Sequence, residues 1–300
     1  MKLAAVDIGS NAIRLQLTNI IEYQGLVTFK KLEYIRFPMR LGHDVFSTGR
    51  ISQAKEKSFF KLMQAFKNII DLYEVDHYYG CATSAMREAT NGKLITEKAR
   101  KELGLDIEII SGKREAELIN EVIKLYLDHK AYLHIDVGGG STELNLYHNK
   151  EIVLSESFEI GSVRSLEFGD YTQIWRELLS WIQKNIKKNY GKVTCVGTGG
   201  NINKIFELAE GDKKRRISVD TVMKVQDFLK NMTYEERMNR LQLNPDRADV
   251  IIPASDIYIE VMKAAKAKAI LVPDVGLKDG INYYLFNKYY PTKGKVLVRN

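Results

Sequence analysis

Cysteine is almost absent: only Cys81 and Cys195 occur in 300 residues, each inside a short apolar run. A secreted scaffold held by disulfides would carry more, so both are expected as buried free thiols in a reducing compartment. No apolar run approaches the roughly 20 residues that span a bilayer. Asp7 comes too early for an apolar signal core to precede it, and the expected location is the cytoplasm. The five histidines are scattered, without the spacing of zinc or iron ligands. Neither a G-x-x-x-x-G-K-S/T loop nor a strand followed by G-x-G-x-x-G occurs, which excludes the two commonest nucleotide-binding turns. Helix-turn-helix, zinc-finger and aromatic RNA-binding patterns are lacking too, so no specific nucleic acid is expected. The net charge of +7 still favours an anionic partner.

What is present suits two domains, since 300 residues exceed one ordinary core. Leu3 to Ile8, Ala12 to Ile20 and Leu26 to Phe37 read as an antiparallel meander. Ser52 then offers an N-cap to a long helix whose apolar stripe runs from Phe59 to Tyr73. Strands and helices alternate from His77 onward, with helix starts read at Ser111, about Ser162, Tyr171, Ser218 and the capping box Thr233 to Glu236. Gly276 to Gly280 reads as a turn before the final helix. This alternation predicts an α/β class with partly parallel sheets.

An internal repeat organises the chain. Ala5-Val6-Asp7-Ile8-Gly9 aligns with His134-Ile135-Asp136-Val137-Gly138, and Leu15 and Leu17 with Leu144 and Leu146, at one offset of 136 − 7 = 129 residues. The predicted domains are 1–125 and 126–285, with a last helix, 286–300, packing back on the first.

Three glycine turns each follow an apolar strand: Gly9-Ser10-Asn11, Gly138-Gly139-Gly140 and Gly197-Thr198-Gly199-Gly200. Such turns let backbone N–H groups approach a phosphate closely. Asp7, Asp136 and Glu143 are candidate ligands for Mg²⁺ or another divalent cation, which takes a few carboxylates plus water. Arg14 and Arg87 are candidate phosphate clamps, with Ser84 at a helix start beside Arg87. Glu115 reads either as a carboxylate that activates water or as an ordinary first-turn glutamate favoured by the helix dipole. The basic run Lys213, Lys214, Arg215 and Arg216 reads as a solvated loop or a substrate contact.

The ordered set Asp7 to Asn11, Ala82 to Arg87, Ile110 to Gly112 with Glu115 and Ala116, Asp136 to Glu143, Gly197 to Gly200 and Gly276 to Gly280 resembles the exopolyphosphatase and guanosine pentaphosphate phosphohydrolase (Ppx/GppA) family, in a short two-domain form. That resemblance implies an α/β fold of two actin-like (ribonuclease H-like) lobes, as in the sugar kinase, Hsp70 and actin superfamily, around a central cleft. It implies Mg²⁺-assisted hydrolysis of a terminal phosphoanhydride of polyphosphate or guanosine pentaphosphate, hence a part in ppGpp metabolism. Glu115 looks like the catalytic base, and Asp136 and Glu143 like metal- or water-orienting carboxylates. Ser10, Asn11, Arg14, Ser84, Arg87, Gly139, Gly140, Ser141 and Thr142 look like phosphate contacts, to which the turn reading adds Gly138, Gly199 and Gly200. Departures from the family pattern are Ala12 for serine, Arg114 for an acidic residue and Glu117 for arginine. They motivate the alternative of a non-catalytic polyphosphate- or nucleotide-binding regulatory module. A homodimer is left open, and no membrane partner is expected.

Overall fold

The computed structural model describes residues 1–166, 169–187, 190–211, 215–290 and 295–296. They form two compact units, Met1–Leu125 with Val275–Asn300, and Tyr126–Asp274.

The first unit holds strands β1 (Lys2–Ile8), β2 (Ile13–Tyr23), β3 (Leu26–Phe37), β4 (His77–Ala82) and β5 (Ile107–Ile109). Its helices are α1 (Leu41–Thr48), α2 (Gln53–Leu72), α3 (Ser84–Glu88), α4 (Gly92–Leu103) and α5 (Gly112–Ile123). The second holds β6 (Tyr132–Val137), β7 (Thr142–His148), β8 (Glu151–Phe158), β9 (Thr194–Thr198), β10 (Arg216–Ser218) and β11 (Ala269–Leu271). Its helices are α6 (Thr172–Ile182), α7 (Gly200–Leu208), α8 (Val219–Lys230), α9 (Tyr234–Arg240), α10 (Pro245–Ala248) and α11 (Ile251–Ala264). The chain then returns to the first unit through α12 (Leu277–Tyr289) and β12 (Lys295–Val296).

The repeat read from sequence is a repeat of sheets. One has the order β12-β3-β2-β1-β4-β5, the other β10-β11-β9-β6-β7-β8. In each, an antiparallel hairpin and its neighbour lie beside a strand that pairs in parallel. Even the turn bond recurs at the same offset, Gly9 N–H to Ala12 O at 3.2 Å and Gly138 N–H to Ser141 O at 2.9 Å.

Strand β1 is buried on both faces, as a central strand must be. Ala4, Val6 and Ile8 join Phe59, Met63, Phe66 and Ile70 of α2. Leu3 and Ala5 join Leu118 of α5 and Leu277, Ile281 and Leu285 of α12. That second layer corrects the expected boundary: the whole final helix belongs to the first unit, so the second ends at Asp274 rather than 285. The reason is the apolar face that α12 must bury.

Gly276 to Gly280, expected as a turn, is a helix start: the Asp279 carboxylate accepts the Gly276 N–H at 2.9 Å, and Gly280 lies inside α12. The helix expected near Ser162 is only a single turn, Arg164–Leu166. The N–H groups of Ser162, Val163 and Arg164 go instead to the carbonyls of Gly138 and Gly139.

The N-terminus of α2 has its predicted cap, Ser52, and a partner the sequence did not announce. Asp44 of α1 accepts the Ser52 N–H at 3.0 Å and pairs with Lys55 at 2.7 Å. Desolvation pushes the Asp44 carboxyl up, but the bonds from Lys55 and Ser52 outweigh it and leave it below its ordinary value. A depressed carboxylate stabilises the fold above the unfolded value of about 3.9, and that gain disappears as pH falls through the folded value. Asp44→Asn is therefore expected to lower the melting midpoint at neutral pH by roughly 2–4 °C. The gap between the two melting midpoints should narrow as pH falls below about 4; a gap that stays constant would place the effect elsewhere.

Both cysteines are free and buried. Burial pushes the Cys195 thiol up to about 12 and raises Cys81 as well, so neither supplies a thiolate nucleophile. Among the described residues no helix is long and apolar enough to cross a membrane.

Candidate active site

In the first unit the β1–β2 turn and the start of α3 are tied together. Ser10 Oγ lies 2.7 Å from Ser84 Oγ and accepts the Ala85 N–H at 3.2 Å. The carbonyls of Ser10 and Asn11 accept from Gly42 and Arg40, each at 2.8 Å. These links gather the expected phosphate contacts Ser10, Asn11 and Ser84. Arg87 donates from Nη1 to Ile110 O at 2.8 Å, which moors it next to the start of α5.

Asp7 and Arg14 are directly opposite on β1 and β2, with Arg14 Nη1 2.9 Å from Asp7 Oδ2. Desolvation works against the Arg14 charge, but Asp7 and Tyr34 outweigh it and hold the guanidinium more firmly protonated. Asp7 was expected among the metal ligands. Its ion pair with Arg14 already balances charge that a cation would otherwise balance.

Sequence reasoning missed the neighbours of this pair. Lys278 pairs with Asp279 and lies 5.6 Å from the centre of the Tyr34 ring. Desolvation opposes the Lys278 charge and Arg14 repels it, yet Asp279 and Tyr34 raise its pKa overall. Gln16 donates to Asp279 at 2.9 Å, across 263 residues of chain. Arg14 and Lys278 thus bring two cations to one end of the sheet. Only the glycines flanking Lys278 stood out in the sequence.

Glu115 lies in the first turn of α5, whose N-cap Ser111 accepts the Arg114 N–H at 3.2 Å. The strand register places Cys81 between Asp7 and Glu108. The Cys81 thiol is pushed up mainly by burial, and also by the negative charges of Asp7, Glu108 and Glu115. Glu115 therefore shares the electrostatic environment of Asp7 and the end of β4. Two of the departures from the family pattern resolve into one: Arg114 and Glu117 pair with each other at 3.2 Å. Arg114 also stacks on Tyr284, 4.8 Å from the ring centre.

In the second unit the same hairpin carries different charges. Asp136 and Glu143 are directly opposite on β6 and β7, where like charges repel. Ser141 and Ser157 both donate to Glu143 Oε1, at 2.6 and 3.0 Å. The turn Gly138 to Gly140 is braced through its carbonyls, with Arg164 Nε donating to Gly140 O at 2.6 Å. Its N–H groups are held in a fixed shape as a result. The Thr142 hydroxyl, expected to meet phosphate, donates to Ile160 O at 2.6 Å. That leaves its proton committed to the scaffold.

Gly199 joins this group with φ +108°, a conformation that favours glycine. A Cβ there would lie 3.5 Å from Asp136 Oδ1. Gly200 opens α7, whose first N–H groups have no partners within the helix. Among the described residues no group of three or more His, Cys, Asp or Glu is placed to hold a metal ion. Two carboxylates with hard oxygen donors still suit Mg²⁺, which takes its other ligands from substrate phosphate and water.

Two residues of the basic run, Arg215 and Arg216, lie among the described residues. Arg215 donates to Val272 O at 2.7 Å and stacks on Phe206, and Arg216 opens β10. Lys213 and Lys214 lie outside the described residues.

A model of the Ppx/GppA phosphatase family matches residues 20–289. A bifunctional 3-dehydroquinate synthase/phosphatase of Fusobacterium nucleatum is 28% identical over 86% of this chain and 43% of its own length. A guanosine-5'-triphosphate,3'-diphosphate pyrophosphatase of Aeromonas salmonicida is 27% identical, over 94% of this chain and 59% of its own. The chain thus spans about half the length of these curated relatives. The crystal structure of an exopolyphosphatase from Cytophaga hutchinsonii shares the fold, with a TM-score of 0.83, 23% identity and coverage of 96% and 98% of the two chains.

Proposed function

Because the chain belongs to the Ppx/GppA phosphatase family, we propose that it hydrolyses a terminal phosphoanhydride of inorganic polyphosphate or guanosine pentaphosphate, releasing orthophosphate. The observation that carries this reading is the charge difference between two equivalent hairpins. Asp7 faces Arg14 in one, and Asp136 faces Glu143 in the other. The first, with Lys278, suits the oxygens of a polyanion. The second suits a divalent cation.

Asp136 and Glu143 would hold the metal, which supplies charge neutralisation at the transferred phosphoryl group. Glu115 accepts the proton of the attacking water. In the first unit the turn Gly9 to Asn11 with Ser84 and Arg87, and in the second the turns Gly138 to Gly140 and Gly199 to Gly200, each suit phosphate oxygens. Such catalysis is largely positioning and electrostatics.

The test is orthophosphate release from short polyphosphate, long polyphosphate and guanosine pentaphosphate at matched phosphate concentration, with Mg²⁺ and with chelator. Release from at least one substrate, abolished by chelator, is expected. Absence of release from all three with Mg²⁺ present would leave the non-catalytic binding module. That module was motivated partly by Arg114 and Glu117, whose mutual ion pair now accounts for both.

A further inference from the structure

Four polar side chains cross one face of the second sheet from its edge to its middle. Ser155 Oγ on β8 donates to Asn145 Oδ1 on β7 at 2.6 Å. Asn145 Nδ2 lies 3.1 Å from His134 Nδ1 on β6, and His134 Nε2 lies 2.8 Å from Thr198 Oγ1 on β9. His134 and Asn145 are fully buried and Thr198 is 1% exposed.

The Ser155 bond fixes the Asn145 amide so that its Nδ2 faces the imidazole and donates to Nδ1. With Nδ1 accepting that bond, the imidazole has one acceptor and one donor. Its proton is therefore on Nε2, donated to the Thr198 hydroxyl. On the other side the Tyr258 hydroxyl donates to Thr198 O. Thr198 is gripped at side chain and carbonyl, directly before Gly199 with its φ of +108°.

The fold does not demand this chain of bonds. The internal repeat puts Ala5 at the place of His134 and Gln16 at that of Asn145. By strand register, Cys81 beside Asp7 stands where Thr198 stands beside Asp136. The first sheet forms without any such relay.

We propose that His134 is a positioning residue for the Gly197 to Gly200 turn, acting through the Thr198 hydroxyl to hold Gly199 and Gly200 in the shape that receives a phosphoryl group. This rests on the reading of that turn as a phosphate contact.

The test titrates the full chain calorimetrically with tripolyphosphate and Mg²⁺, using wild type, His134→Leu, His134→Gln, Thr198→Val and the Leu/Val double variant. Losing one hydrogen bond's worth of order should weaken binding about tenfold in His134→Leu and in Thr198→Val. Glutamine, which can still donate, should recover most of the loss. The double variant should bind no more weakly than Thr198→Val alone, because both changes cut one path. In phosphate release the loss should fall on KM more than kcat, and the amide signals of Gly199 and Gly200 should shift on titration of wild type.

Unchanged binding by a folded His134→Leu protein, losses that add in the double variant, or amide signals that stay still would each overturn the proposal. If His134→Leu does not fold, Thr198→Ser against Thr198→Val decides, since equal binding by those two also overturns it. Wild type that binds tripolyphosphate with shifts at Gly199 and Gly200 yet releases phosphate from none of the three substrates would remove the hydrolase reading and leave the positioning role standing.

Discussion

Glu115→Gln is expected to cut kcat for phosphate release by about 10²–10⁴-fold with little change in KM. Glutamine keeps the size and hydrogen-bonding reach of the side chain but cannot accept the proton of an attacking water. That interaction exists only in the transition state, so its loss appears in kcat. The fold should survive, since glutamine keeps the shape and the hydrogen-bonding reach of a residue in the first turn of α5, where loss of the charge weakens the helix-dipole interaction by about 0.3–1 kcal/mol. Steady-state kinetics beside a thermal melt separates the two effects. A folded variant within about threefold of wild type would show that Glu115 is merely a first-turn glutamate.

Gly280→Ala is expected to be among the most destabilising single changes in the first unit. A Cβ at that position would sit 2.2 Å from Leu118 O and 2.7 Å from its carbonyl carbon, and backbone atoms cannot rotate away as a side-chain tip can. Helices α12 and α5 must move apart, and overpacking of this kind typically costs about 1–3 kcal/mol. Because α5 carries Glu115, phosphate release should fall along with stability. At Gly276, one turn earlier, a Cβ would have nothing within 4 Å, and Gly276→Ala should cost no more than about 1 kcal/mol, as a weaker N-cap. Urea unfolding of the pair reads the contrast; equal losses would mean that the close approach of the helices does not decide the effect.

How far the sequence could be read follows from how local each interaction is. Ser52, Ser111, Ser218 and Thr233 cap the helices read after them, because a cap bonds to an N–H only three residues away. The hairpin Thr142–His148 with Glu151–Phe158 was legible from its alternation. The helix expected at Ser162 failed because its N–H groups are claimed by Gly138 and Gly139, more than twenty residues earlier. The short helix α1, with its left-handed entry at Arg40, gave no periodic signal long enough to read.

By itself, then, the sequence determined the two-lobed repeat, the acidic glycine turns at a common offset and the family. All of these are written in residues close together along the chain or in a register that the offset makes visible. Only the tertiary structure decided what each acidic turn faces. It set Lys278 beside Arg14 in the first unit, and in the second it ran a buried relay from Ser155 to Thr198. Those pairings depend on which strands lie side by side and which helix returns to cover them, and nothing within a few residues of Arg14 or His134 constrains that.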